Sequence, residues 1–369
     1  KNMKFYNREN ELAELQRIQE LSFGENSRLT VVTGRRRIGK TSLIMRAFEK
    51  TPTIYLFVGR KNEASLCREF ITLVSQALDI YVPEEISTFQ SLFRYIMEAA
   101  TRQSFNLVID EFQEFYNINK SIYSDIQDIW DQYRQKTHMN FVVSGSIYSL
   151  MEKIFHSEKE PLFGRADNII KLSAFSLNVL KKIMKDYHPQ YTNDDLLALY
   201  SVSGGVPKYV ELFCDNRVLT VDEMIDFMVR DNSPFTDEGK NLLIEEFGKN
   251  YGTYFSILSA ISGGYNTQTE IEALLGEKSL GGYLKRLIED YNIVVRQRPV
   301  FSKEGSQTVR YEICDNFIHF WFNYFDRNRS LIEIKNFVGL RKLIKADYPT
   351  YSGKILEQYF KQKYAESYE

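Results

Sequence analysis

Leu29-Thr30-Val31-Val32-Thr33-Gly34-Arg35-Arg36-Arg37-Ile38-Gly39-Lys40-Thr41-Ser42-Leu43-Ile44-Met45 is the stretch on which the fold turns. Its first five residues are apolar or β-branched and read as a short buried strand. Gly34 to Thr41 then match GxxxxGK[ST], and the residues that follow read as a helix. Glycines at both ends of the loop let the backbone curl, so that successive N–H groups and the next helix N-terminus face a phosphate chain. Lys40 is placed to reach the β- and γ-phosphates and Thr41 to ligate Mg²⁺, with Arg35, Arg36, Arg37, Ile38 and Ser42 lining the same loop. The ligands expected are ATP or ADP with Mg²⁺. The plainer alternative, a basic turn before an ordinary helix with Lys40 solvated, fits the strand-loop-helix setting less well.

Such a loop needs a second strand ending in a carboxylate, and Phe105-Asn106-Leu107-Val108-Ile109 followed by Asp110-Glu111 supplies it. Asp110 is expected to hold Mg²⁺ through water. Glu111 is expected to act as general base on the attacking water, the alternative being a solvated carboxylate at a helix start. Asn140-Phe141-Val142-Val143 reads as a further buried strand and runs into Ser144-Gly145-Ser146. Ser144 is read as a polar sensor of the γ-phosphate or the water, against a plain strand-end turn. Apolar stripes at helical spacing lie between these strands: Leu66, Phe70, Leu73, Val74 and Ala77, then Ile122, Ile126, Ile129, Trp130 and Tyr133. They are core. Strands alternating with helices imply an α/β P-loop NTPase core, a parallel sheet flanked by helices with its ligand at the switch point.

The chain has 369 residues, more than one hydrophobic core usually organises. Hydrophobic residues make up 43% and charged residues 26%, which excludes a disordered chain. A formal net charge of -2 offers no general basic field for nucleic acid. Cys67, Cys214 and Cys314 are far apart with no CxxC pair, and a reducing cytoplasmic location is expected. Neither a membrane span nor a signal peptide is legible. His138, His156, His188 and His319 are scattered without partners at ligand spacing, so zinc is not expected.

Together, Phe5-Tyr6-Asn7-Arg8-Glu9-Asn10-Glu11-Leu12, the loop Gly34–Thr41, the Asp110-Glu111 pair, Phe163-Gly164-Arg165 and Gly204-Gly205-Val206-Pro207-Lys208-Tyr209 resemble the archaeal-type ATPase family, in the STAND branch of AAA+-like P-loop proteins. The resemblance covers about residues 3–330. It implies an ATPase core over 1–175, a helical lid over 176–248 closing on the ATP cleft, a winged helix-turn-helix over 249–314, and a helical segment over 315–369 that starts a PD-(D/E)xK nuclease-like domain cut short in this chain. It also implies that Tyr6, Asn7 and Arg8 lie beside the adenine, the alternative for Asn7 being a cap on a helix whose core face includes Leu12 and Leu15. Arg165 is implied to offset phosphoryl charge in cis or in trans, a surface ion pair being the alternative. Pro207 is implied to pack on the base, against a simple proline at a helix start.

In the second half, helical spacing marks Tyr254 to Ile261, Ile271 to Leu275 and Leu280 to Ile288, and Ile293–Arg296 with Val309–Ile313 reads as a two-stranded wing. Lys285, Arg286, Arg296, Arg298, Lys303 and Arg310 are the phosphate contacts available to DNA, yet residues 253–314 balance seven Lys/Arg with seven Asp/Glu. Gly281-Gly282 further weakens the third helix as a rigid reader. Glu357, in Gly353-Lys354-Ile355-Leu356-Glu357, resembles the first acidic ligand of the nuclease-like domain, a solvated helix carboxylate being the alternative. The leading expectation is a slowly turning-over ATPase that works as a nucleotide-driven switch, with a protein or DNA met through the winged helix and self-association allowed. A DNA-associated ATP-binding module is the runner-up. A metabolic kinase would need an acceptor pocket that is not legible.

Overall fold

The computed structural model describes residues 3–297 and 309–367, so Arg298 and Lys303 lie outside the described residues. The chain divides into two compact units, Phe5–Ser173 and Ala174–Glu369, the second joined by Lys1–Lys4.

The first unit is a three-layer α/β structure. Five parallel strands, β1 (Arg28–Thr33), β2 (Thr53–Phe57), β3 (Phe105–Asp110), β4 (Met139–Gly145) and β5 (Asn168–Lys171), form one sheet in the order β2-β3-β4-β1-β5. β3 and β4 are buried along their whole length, as near-continuous apolar runs in the middle of a parallel sheet must be. β2 and β5 are edge strands that alternate in burial. The core gathers Leu29, Val31, Ile54, Leu107, Phe141 and Trp130 with Phe70 and Phe93 from the flanking helices. Because β4 lies between β1 and β3, the chain leaving β1 and the residues ending β3 and β4 meet at the carboxyl edge of the sheet. The register sets Ser144 level with Val32 and Val143 level with Ile109.

Two helices of this unit bear on the site. α1 (Glu9–Gly24) precedes β1, and α2 (Lys40–Ala47) leaves the glycine loop with Gly39 as its N-cap. The residue capping α1 is Arg8, not Asn7, and it makes no side-chain cap bond.

The second unit is mostly helical. Helices Leu177–Tyr187, Asn193–Ser203, Pro207–Asp215 and Val221–Met228 come first, and helices Tyr251–Ser262, Gln268–Leu275 and Gly281–Glu289 follow with an antiparallel pair, β6 (Val294–Gln297) and β7 (Arg310–Ile313). The aromatic run after Asp315 packs within this unit. Phe317 lies 4.2 Å from Tyr209, and the Trp321 Nε1–H donates to the Thr236 carbonyl at 3.1 Å. Gly239 is required there, since a Cβ on it would stand 2.2 Å from the Trp321 indole.

The C-terminal residues cluster with the second unit. Helix Phe337–Glu366 buries Leu340, Ile344, Tyr348, Tyr351 and Ile355 and packs on helices Leu177–Tyr187, Asn193–Ser203 and Val221–Met228. Its last turn clasps the first helix of the unit: the Glu366 carboxylate accepts from the Leu177 and Asn178 N–H groups at 2.8 and 3.0 Å, filling orphan donors at a helix start. Glu357 is exposed on this helix and pairs with Lys361 at 2.6 Å. Among the described residues no group of three or more His, Cys, Asp or Glu is placed to hold a metal ion.

His319 gives this unit a pH dependence. Its Nδ1 shares a 2.9 Å hydrogen bond with the Tyr351 hydroxyl, and burial, helped by Lys354 and Arg327, pulls its pKa down to about 4. An unfolded histidine titrates near 6.5, so between these values the unfolded chain binds the additional proton, and stability falls as pH drops below about 6.5. The sign is that of a buried neutral base: full stability above the unfolded pKa, progressive loss down to the folded one. Urea unfolding at pH 7 and pH 5 is expected to show His319→Phe losing about 2 kcal/mol of the wild-type pH dependence.

Candidate nucleotide and metal site

The loop that leaves β1 owes its shape to two glycines that act for different reasons. Gly34 has φ 154°, and a Cβ on it would stand 2.9 Å from the Leu172 carbonyl oxygen as the chain leaves β5, so no side chain fits. Gly39 has open space around it but a φ of 89°, which L side chains rarely adopt. Arg37 carries left-handed backbone without being glycine, at φ 70°, as strained loop residues at functional sites do. Arg35 and Arg36 are half-buried, Ile38 is buried, and Thr41 and Ser42 stand exposed in the first turn of α2. Lys40 is buried, and its Nζ donates to the Gly34 carbonyl at 2.8 Å and the Arg35 carbonyl at 3.1 Å. The ammonium therefore lies along the inside of the loop.

Four donors converge on Asp110. Thr41 Oγ1 at 2.8 Å and the Tyr55 hydroxyl at 2.6 Å donate to Oδ2, while the Ser144 hydroxyl and the Glu111 N–H, the latter at 2.9 Å, donate to Oδ1. Burial pushes this carboxyl up, but the hydrogen bonds from Ser144, Tyr55, Thr41 and the Glu111 backbone outweigh it and hold the group below its ordinary value. Burial first, then the bond to Asp110, raises the Tyr55 phenol well above its ordinary range, so it stays a protonated donor.

Glu111 follows in left-handed backbone at φ 54°. Its Oε2 accepts from the Ser146 hydroxyl at 2.8 Å and from the Gln113 side-chain amide. The two serines that end β4 thus serve adjacent carboxylates, Ser144 on Asp110 and Ser146 on Glu111. Gly145 between them must be glycine, because a Cβ there would meet the Gln113 Oε1 at 2.3 Å and the Met151 sulfur at 2.5 Å. The hydroxyl of Ser144, the residue read as the polar sensor, is turned onto Asp110. The parallel register that sets it beside the end of β3 is the reason.

The N-terminal residues split. Tyr6 and Arg8 are buried and Asn7 is exposed with a left-handed φ of 50°. Arg8 Nη2 donates to the Ile38 carbonyl at 3.3 Å and the Ser173 carbonyl at 2.6 Å, which links the glycine loop to the last residue of the unit. Burial lowers the Arg8 pKa, partly offset by Glu11 at 3.5 Å. Arg165 is not brought to the loop. It pairs with Asp131 at 3.0 Å ahead of β5, and Asp167 two residues on bonds to Leu29 at the start of β1, so Arg165 sits at the amino edge of the sheet. Pro207 belongs to the second unit, where it is the first residue of its helix.

Tyr55, Gln113 and Ser146 are site residues that sequence reasoning did not assign. Tyr55 sits on an edge strand of five residues whose only signal is the alternation Thr53-Ile54-Tyr55-Leu56-Phe57.

Thr41 and Asp110 offer hard oxygens within hydrogen-bond distance of each other, the donor chemistry that suits Mg²⁺ held jointly by protein, phosphate and water.

A parallel sheet with a glycine loop running into a helix, a buried lysine in that loop and a carboxylate at the end of a neighbouring strand defines a P-loop ATPase. Residues 5–213 match the model of the ATPase domain found predominantly in Archaea, and the chain belongs to that family. It is 29% identical over 358 residues to the uncharacterized protein MJECL04 of Methanocaldococcus jannaschii, covering 95% of this chain and 75% of that protein. Among solved structures it resembles the Walker-type ATPase PABY2304 of Pyrococcus abyssi, with a TM-score of 0.59, 19% identity and coverage of 86% and 96% of the two chains. The ORC2 protein of Aeropyrum pernix, solved in ADPNP and ADP complexes, gives a TM-score of 0.59 at 12% identity, covering 90% and 96%. Both likenesses are of fold. Among the described residues no helix is long and apolar enough to cross a membrane.

Proposed function

We propose that this ATPase is an Mg²⁺-dependent nucleotide switch of the STAND type with slow turnover. The observation that carries the reading is the meeting of Thr41 and Asp110 at 2.8 Å beside a loop whose lysine is already held inside it. In use, Lys40 and the loop N–H groups bind the phosphates, Thr41 and Asp110 hold the metal, and Glu111, anchored on Oε2 by Ser146 and Gln113, takes the proton of the attacking water. Bound Mg²⁺ supplies charge neutralisation on the phosphate oxygens. Lys40, Asp110, Gln113 and Ser146 are buried, which keeps their hydrogen bonds strong against water.

The switch reading rests on Arg8. One guanidinium bonds both the glycine loop at Ile38 and the chain at Ser173, so a shift of the loop on nucleotide binding is felt where the chain leaves the first unit. Arg165, at the amino edge of the sheet, is assigned a role toward a neighbouring subunit's nucleotide, and Tyr6 is assigned to the base. Residues 249–314 are read as a winged helix that carries the output to a protein partner. Exposed Arg296 and Arg310 on β6 and β7 support DNA as the second reading.

Calorimetric titration tests the proposal. ATP is expected to bind in the micromolar range with Mg²⁺ and more weakly after chelation. No binding in either condition overturns the reading, and duplex binding that weakens steeply with salt moves the output from protein to DNA.

A further inference from the structure

Asp110 accepts from four donors, and a carboxylate has about four lone-pair sites. It is therefore saturated by the protein itself. Three of those donors are fixed by the chemistry already described: Thr41 is the metal-side hydroxyl, the Glu111 N–H is backbone, and Ser144 is locked by the β4 register. The fourth, Tyr55, comes from the edge strand β2. Tyr55 shares a face with Phe57, the register partner of Asp110, and its length carries the hydroxyl one pleat further to Oδ2. It lands on the same oxygen as Thr41 Oγ1, the group beside which a metal ion would sit.

We propose that Tyr55 is a gate on metal entry: its hydroxyl occupies the acceptor site on Asp110 that a metal-bound water must take, and the phenol has to swing away before Mg²⁺ is held. Tyr55 is only half-buried and on a sheet edge, so its ring has room to leave, whereas Ser144 is fully buried and does not. Tyr55 makes no contact with phosphate in this scheme. It acts through Asp110, so it is a positioning residue for the metal-free state and sets how much Mg²⁺ the site demands. The inference rests on the nucleotide-site reading above.

Tyr55→Phe keeps the ring and removes the competing donor. Mn²⁺ serves as the spin probe, titrated by electron paramagnetic resonance in the presence of ADP so that no turnover contributes, with thermal melting confirming that both proteins are folded. The expected result is metal affinity about tenfold tighter in Tyr55→Phe than in wild type, the scale of one lost hydrogen bond to a charged group. Equal affinity in the two proteins overturns the gate. Weaker affinity in Tyr55→Phe also overturns it, and shows that the phenol instead supports the bound metal. If wild type takes up no Mn²⁺·ADP, the nucleotide site itself fails and the gate fails with it; if wild type binds and the variant does not differ, the gate alone fails.

Discussion

Lys40→Ala is expected to lower ATP affinity at least about a hundredfold, close to 3 kcal/mol, the loss that follows removal of one partner from a buried charge-assisted set. Two effects add. The variant lacks the ammonium that meets the β- and γ-phosphates, and it leaves the Gly34 and Arg35 carbonyls without the donor that now braces them. The second effect loosens the loop before any ligand arrives. Calorimetry with ATP reads the total, and Lys40→Arg separates the parts: a guanidinium restores charge, but its planar fork does not match two loop carbonyls on one turn. Wild-type affinity in Lys40→Ala would remove the lysine from the site.

Glu111→Gln is expected to keep nucleotide binding within about twofold and to lower kcat by about 10² to 10⁴, the usual contribution of a general base. The substitution is clean because of how Glu111 is held. Ser146 and Gln113 both donate to Oε2, so the glutamine carbonyl oxygen can take that place and the side chain keeps its position. The backbone cost at φ 54° is the same for both residues. What changes is basicity, and the readout is steady-state phosphate release beside binding of ATP. Unchanged turnover would assign the proton to another group.

The parts of the fold that were legible share one property. β1, β3 and β4 are buried apolar runs, and the glycine loop has a spacing with one physical use, so each announces itself locally. The edge strands β2 and β5 are short and half-exposed, and Tyr55 went unassigned with β2. Ser144 and Arg165 show a second limit. A hydroxyl at a strand end and an arginine after Phe163-Gly164 are visible as residue types, but which neighbour each meets depends on the register and order of strands far apart in sequence. That pairing placed Ser144 on Asp110 and Arg165 at the opposite edge. Asn7 failed as a cap because the chain turns left-handed there and starts the helix one residue later. Helix Phe337–Glu366 falls within the helical segment expected over 315–369 and runs on through Pro349.

The Glu366 clasp on Leu177 and Asn178 has a consequence for the order in which the chain matures at the ribosome. All five strands of the first unit are synthesised by residue 171, so nothing downstream is needed to close that sheet. The first helix of the second unit must wait for a partner 189 positions later. At about 5–20 residues per second that wait is on the order of 10–40 s. During it, the faces that the last helix will cover are open to whatever else the nascent chain meets. The last turn of that helix is thus the piece that closes those faces during synthesis.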